Sequence, residues 1–334
     1  MAQTLESFLK KYKLGKDSNV VYTHTKLSGG KYAIPNEKLE EFRQLYHKEV
    51  FELGRDCTLT EANSKYTQIK IDLDFRYTTE DNVPRRIYTM EDIVDVVKLY
   101  AKAIHEYMYV PESKCAAFIM EKTGPILNQK GTRHSDGQII IKDGVHIIFP
   151  VVTHAKIAHK IREDVIRDIG TVLDKHKFIN SYKDIVDESV IEKNNWFLYG
   201  ATKANSSAYL VTKIVRYKYD SESANVKITS YPDPSMFTTA QYVEMFSILN
   251  RDSDFSRTDI KARYLELLER TGEIEKSEYS RKREQSLNRN KRNFSRIDDE
   301  QIKYVCSLVD LTSKERAIAY KDWIEMGWCL HNIH

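Results

Sequence analysis

Polar and apolar residues alternate from Tyr66 to Tyr77, and a period of two predicts a strand. Ile69, Ile71, Leu73 and Phe75 would then line one face, against a core. The rhythm changes at Met90. From there to Tyr109 the residues Ile93, Val96, Val97, Tyr100, Ile104 and Met108 recur at helical spacing, which predicts an amphipathic helix. A second helix is expected from about Thr153 to His176, with Ile157, Ile161, Val165, Ile169 and Leu173 on one side. Before the first strand, a helical pattern runs from Asn36 to Glu52, after a Gly29-Gly30 turn. Short apolar runs predict further strands at Val20 to His24, Cys115 to Met120, Trp196 to Tyr199 and Tyr209 to Tyr217. Gln138 to Pro150 reads as a hairpin, because Ile139-Ile140-Ile141 and Val145 to Phe149 flank Lys142-Asp143-Gly144, and Asp-Gly tolerates positive φ. Helices and strands in this mixed order predict an α+β fold rather than a doubly wound parallel sheet.

The chain has 334 residues, enough for one large or two ordinary domains. Its net charge of +3 is small, but the distribution of charge divides the chain. Arg281-Lys282-Arg283, Arg289, Lys291, Arg292 and Arg296 form a basic stretch containing one acid, Glu284. We therefore expect a domain over residues 1–270, a basic linker over 271–297, and a short helical segment over 298–334, with helices at Asp298 to Leu308 and Ser313 to His334. The end at His334 reads as a cut within a longer protein. No repeat of domain-building length is apparent. The four cysteines are scattered and include no Cys-x-x-Cys pair, which removes support for a zinc ribbon and fits a reducing compartment. The N-terminus does not resemble a secretion signal, and no stretch has the length and apolarity of a membrane span. A soluble intracellular protein is expected.

The chemistry lies in the polar positions of the first strand. Asp72 and Asp74 are two apart and share a face, opposite Ile71, Leu73 and Phe75. Like charges held that close repel unless a cation compensates, and hard carboxylate oxygens favour Mg²⁺ or Mn²⁺ over zinc. His146 shares a strand face with Gly144 and Ile148, and the missing side chain at Gly144 suggests a gap through which a phosphate or sugar could reach the backbone. Asp187, framed by Val186 and Val190, is the preferred third acid, as an inward residue of a strand. Gly200-Ala201-Thr202-Lys203 suggests a glycine turn presenting a lysine to phosphate. Arg76 and Lys142 are secondary cationic candidates. No Gly-x-x-x-x-Gly-Lys-Ser/Thr string occurs, so a P-loop ATPase is excluded for this segment.

Taken in order, Ile71-Asp72-Leu73-Asp74-Phe75, Asp143-Gly144-Val145-His146-Ile147-Ile148-Phe149-Pro150 and Asp187 resemble the three motifs of the archaeo-eukaryotic primase superfamily. With Asn195-Trp196-Phe197-Leu198-Tyr199-Gly200-Ala201-Thr202-Lys203, they are most similar to the N-terminal primase domain of the primase-helicases of nucleocytoplasmic large DNA viruses. Leu308-Val309-Asp310-Leu311, Ala317, Trp323, Gly327-Trp328 and Leu330-His331-Asn332-Ile333 resemble the region leading to a superfamily 3 helicase. The resemblance runs from about Thr23 to the end. Ile191 stands where an aromatic is expected, and Ala201 where serine is commoner.

The resemblance implies a mixed α/β unit packed on an RRM-like antiparallel sheet, with the acids between them. It implies a DNA primase/polymerase, a nucleotidyltransferase making short primers for viral DNA replication. Asp72, Asp74 and Asp187 would hold two Mg²⁺ or Mn²⁺ ions; His146, Lys203, Lys142, Arg76 and Gly144 would contact the nucleotide. The implied partners are a single-stranded DNA template, NTP or dNTP, a C-terminal superfamily 3 helicase domain of the same polypeptide and other replication proteins, with no membrane. The implied location is the host cytoplasm or a viral replication site. A metal-dependent nuclease and a non-catalytic nucleic-acid-binding module of a replicative helicase are the alternatives.

Overall fold

A computed structural model describes residues 3–128, 134–135, 137–203, 206–249 and 259–272. Residues 1–268 form one compact unit and 269–334 a second; both sheets and the candidate site belong to the first. The basic stretch and the two helices expected after it lie outside the described residues.

The larger sheet is antiparallel, with strand order β10-β9-β5-β7-β4 and the short β6 paired to β7. Its strands are β4 (Tyr66–Tyr77), β5 (Ala116–Glu121), β6 (Ile126–Leu127), β7 (Ile141–His154), β9 (Leu210–Asp220) and β10 (Asn225–Ser230). The smaller sheet has the order β2-β1-β3-β8, from β1 (His24–Lys26), β2 (Lys31–Tyr32), β3 (Leu59–Glu61) and β8 (Trp196–Phe197). The α+β expectation therefore holds: the sheets are antiparallel and the helices lie outside them.

Strand β4 shows why the layers form. Ile69, Ile71, Leu73 and Phe75 are buried along one face, each contributing about 1.5–3 kcal/mol. That side of the sheet carries helices α3 (Met90–Tyr107) and α4 (Ala155–Asp168), which pack on each other. Tyr100 of α3 meets Phe149 of β7 there. On the other face, Phe118, Met120 and Ile148 join a core with Trp196, Leu198, Tyr199, Phe42 and Tyr46. Helices α1 (Leu5–Lys11), α2 (Leu39–His47) and α7 (Thr239–Met245) contribute to that core. The two short helices α5 (Tyr182–Ile185) and α6 (Ser189–Glu192) flank Asp187.

Three expectations need correction. The hairpin over Gln138 to Pro150 is absent: β7 runs unbroken through Asp143 and Gly144, paired to β4 along its length. Arg86 explains this, since its Nε donates to Asp143 Oδ2 at 2.8 Å while Gly144 N–H donates to Asp143 Oδ1 at 2.9 Å. With its carboxylate satisfied in this way and its backbone paired to Phe75 and Asp74 of β4, the Asp-Gly pair is held extended. Asp187 is not on a strand; Val186 makes a single bridge to Leu73 and the chain then turns. The helix expected from Thr153 begins at Ala155, with His154 as its N-cap, because Thr153 and His154 remain paired to β4.

One buried carboxylate connects the helical layer to the acid-bearing loop. Thr89 and Asp92 form a capping box at the start of α3, and Asp92 also holds His176 at 2.8 Å and the Lys175 ammonium. Burial works to raise its pKa, but these contacts, led by Lys175, hold it at about 2 instead of 3.8. A depressed carboxylate stabilises the fold above its unfolded pKa, and that stability is lost as pH falls. The urea midpoint of the wild type should fall relative to Asp92→Asn between pH 3.8 and about 2. At neutral pH the variant should be less stable by about 2 kcal/mol. Parallel pH profiles for the two proteins would show that Asp92 carries no such linkage.

Candidate active site

The β4–β7 register sets Asp72 opposite His146 and Asp74 opposite Gly144. Strand period therefore puts both acids and the histidine on the face turned toward the smaller sheet. His146 Nε2 lies 3.4 Å from Asp72 Oδ1. The imidazole is clamped, with its ring stacked on Tyr209 at 3.5 Å and tilted against Trp196 at 4.5 Å, centroid to centroid.

The third acid arrives from outside the sheet. Because β4 is the sheet's edge, its outer backbone groups are free to pair, and the chain from Phe178 to Asp187 uses them. Ile179 N–H donates to Arg76 O at 2.8 Å, and Asn180 spans Asp74 O at 2.7 Å and Arg76 N–H at 3.0 Å. Asp187 N–H donates to Asp72 O at 3.0 Å. Arg162, buried on α4, fastens the same loop by donating to Val186 O and Lys183 O, each at 2.8 Å. Ser189 donates to both Asp187 carboxylate oxygens, at 2.9 Å from its N–H and 2.7 Å from its hydroxyl.

Asp72, Asp74 and Asp187 each offer an oxygen within 4.8 Å of the others. Burial, then the neighbouring Asp72 and Asp187 carboxylates, push Asp74 up to about 6. Burial acts in the same direction on Asp72, but the facing His146 outweighs it and holds Asp72 below the usual range. Asp72 Oδ1 is buried, and its one near cationic neighbour, His146 Nε2 at 3.4 Å, does not meet it in hydrogen-bonding geometry. A set of hard oxygens, mutually repelling and within 4.8 Å of one another, fits a divalent cation.

The triad, His146 and Lys203 line one cleft of about 530 Å³, walled by Tyr22, Thr25, Thr60, Trp196 and Phe197. Arg76 and Lys142 instead line an adjoining cavity of about 270 Å³, which shares Asp74, Lys122, Lys203, Ser206 and Tyr209 with the cleft. Gly144 has a different role from the open gap expected of it. A Cβ there would meet Tyr209 Oη at 2.6 Å and Leu73 O at 2.9 Å, so the space above the glycine holds the tyrosine that stacks on His146. Lys122 was missed in the sequence. Its ammonium lies 4.7 Å from the centre of the Tyr209 ring and borders both cavities; burial and then Lys203 lower its pKa. Its only sequence signal is its place just past an apolar strand. Arg162, Ser189 and Tyr209 carry no motif at all, since their roles come from contacts distant in sequence.

A family model described as the C962R protein N-terminal AEP domain matches residues 23–215, a span that contains the acid triad, His146 and Lys203. "Putative helicase L207/L206" of Acanthamoeba polyphaga mimivirus is 29% identical over an alignment of 348 positions, covering 99% of this chain and 35% of that protein. "Putative helicase 184R" of Invertebrate iridescent virus 6 is 24% identical over 351, covering 95% of this chain and 34% of its own length. The chain thus spans about a third of the length of the curated relatives it matches.

Two outcomes follow for metal binding. Mn²⁺ should raise the melting temperature of the wild type, whereas Asp74→Asn should melt about 2 °C higher without metal and respond little to it. Arg162→Met leaves all three acids in place but frees the loop, and should weaken Mn²⁺ binding by about tenfold or more in a calorimetric titration. Unchanged affinity in Arg162→Met would remove that residue from the site's support.

Proposed function

The chain belongs to the family of C962R-type N-terminal AEP domains, the archaeo-eukaryotic primase type, and on that premise we propose that it catalyses template-directed nucleotidyl transfer. It would make short primers for viral DNA replication, as the primase module of a primase-helicase. The observation that carries the reading is the meeting of Asp72, Asp74 and Asp187 with His146 in one cleft. The reading assigns residues 1–270 to catalysis, 271–297 to a linker and 298–334 to the start of a region leading to a helicase domain. That two helicase-named viral relatives extend well beyond this chain supports the last assignment.

Asp72, Asp74 and Asp187 would hold two Mg²⁺ or Mn²⁺ ions. Bound there, such ions supply the positive charge that activates a 3′-hydroxyl and neutralises a triphosphate and its leaving pyrophosphate. The chain's own residues do the rest. The sheet fixes Asp72 and Asp74 in place, so little reorganisation is needed during reaction. His146, held by Tyr209 and Trp196, donates a hydrogen bond to a nucleotide phosphate. Lys203 and Lys122 add charge beside it. The aromatic wall of Tyr22, Trp196 and Phe197 suits a base and sugar, and the cleft has the volume of a small-molecule site.

The partners proposed are single-stranded DNA template, NTP or dNTP, a superfamily 3 helicase domain in the same polypeptide and other replication proteins. Template contacts are mainly electrostatic, so affinity falls with salt. Among the described residues no helix is long and apolar enough to cross a membrane, and the proposed location is the host cytoplasm or a viral replication site.

With single-stranded template, labelled nucleotides and Mn²⁺, the wild type should yield short labelled oligonucleotides. Asp72→Ala/Asp74→Ala should lower the yield by about a hundredfold or more. Full activity in that variant would sink the proposal, and degradation of template without incorporation would replace it with a nuclease.

A further inference from the structure

Beyond His146 the same face of β7 continues through Ile148, and the register of β5 sets Phe118 directly opposite it. Past this pair the sheet floors another cavity. It holds about 480 Å³ and is walled by Phe118, Ile148, Pro150, Val152, Met245 and Phe246, with Gln68 and Lys114 as its polar lining. None of these residues lines the cleft.

The polar lining narrows what could enter. Gln68 is 6% exposed; its amide nitrogen donates to Met245 O at 3.0 Å, while its amide oxygen has no hydrogen-bond partner. A buried acceptor left unpaired is costly, and a donor brought in beside it removes the cost. Lys114, half-buried at the end of the 3₁₀ turn Glu112–Lys114, makes no ion pair within 4 Å among the described residues. The sheet outward from it is basic. Register places Arg216 beside Ala116 and Lys218 opposite Lys227, all on the side that bears Phe118, and Glu112 answers one of these cations, Lys218, at 3.1 Å. The rim therefore favours an acidic partner. A nucleic-acid base fits less well, because Phe118 and Phe246 are buried and meet edge to face at 5.2 Å, spent on one another rather than presented for stacking. Met245, unbranched and half-buried at the end of α7, is the adaptable part of the wall.

We propose that this cavity docks an acidic peptide segment of a partner protein, with one bulky apolar side chain as its anchor. The anchor fills the space between Phe118, Pro150 and Met245, an N–H of the segment meets the Gln68 amide oxygen, and a flanking carboxylate pairs with Lys114. An apolar anchor in a pocket beneath a charged rim is how a peptide concentrates its binding energy. The proposal is independent of the reaction in the cleft.

The test titrates the full chain, at fixed salt, into fluorescein-labelled short acidic peptides with Asp and Glu around a central Leu, Met, Phe or Trp, and reads anisotropy. The tightest of the set should bind about tenfold better or more than its central-Ala or Lys-flanked counterpart. Lys114→Glu should weaken it by about tenfold or more, Lys114→Arg should retain most of the affinity, and Met245→Trp, which fills the cavity, should abolish saturable binding. All three variants should melt close to the wild type; if Met245→Trp fails to fold, the two Lys114 variants decide. No binding by any peptide of the set, or unchanged binding in folded Lys114→Glu, overturns the assignment. Displacement of the peptide by a single-stranded oligonucleotide whose own affinity falls in Met245→Trp gives the cavity to nucleic acid, and self-association that Met245→Trp abolishes gives it to a second copy; either overturns the peptide.

Discussion

The antiparallel register between β4 and β7 is the constraint from which the site follows. Asp72 opposes His146, Asp74 opposes Gly144 and Arg76 opposes Lys142. A slip of one residue would turn the acids into the helical layer and bring Ile71, Leu73 and Phe75 into the cleft. Burial of those apolar side chains under α3 and α4 resists such a slip. The hydrophobic pattern on one face therefore fixes the chemistry of the other, and a bulge at Gln68 and Ile69 lies away from the acids.

An edge strand is ordinarily a liability, because it offers unpaired backbone groups to other chains. Here the open edge of β4 is the docking rail for the segment from Phe178 to Asp187. Phe178 stacks on Phe75, with centroids 4.7 Å apart, and the backbone bonds that follow bring Asp187 beside Asp72. Three carboxylates gathered in this way oppose folding electrostatically. The apolar layers, the Arg162 clamp and the Asp92 cluster offset that repulsion, leaving acids that repel one another and favour a cation.

Parts of this arrangement were legible from the residues. The limits of β4 follow from its alternation, and the shared face of Asp72 and Asp74 from strand geometry. The α3 helix was visible in its apolar spacing to within two residues at its C-terminal end. Local turn preference at Asp143-Gly144 predicts a hairpin because it carries no trace of Arg86, whose guanidinium satisfies Asp143 from a distant loop. Tyr209 filling the space over Gly144 was invisible for the same reason: an absent side chain in a sequence does not say what occupies its place.

The sequence by itself determined the alternation of β4, the helical stripes, the α+β class and the order of the acid and histidine motifs, because these depend on periods of two and 3.6 residues within single segments. Only the tertiary structure decided that Asp187 meets Asp72 through a lone bridge on an open edge, that Lys122 and Tyr209 belong to the cleft, and that Arg76 and Lys142 line a cavity of their own. Those placements rest on contacts between residues far apart in the chain, where register, burial and the pairing of buried charges act together and local spacing carries no record of the outcome.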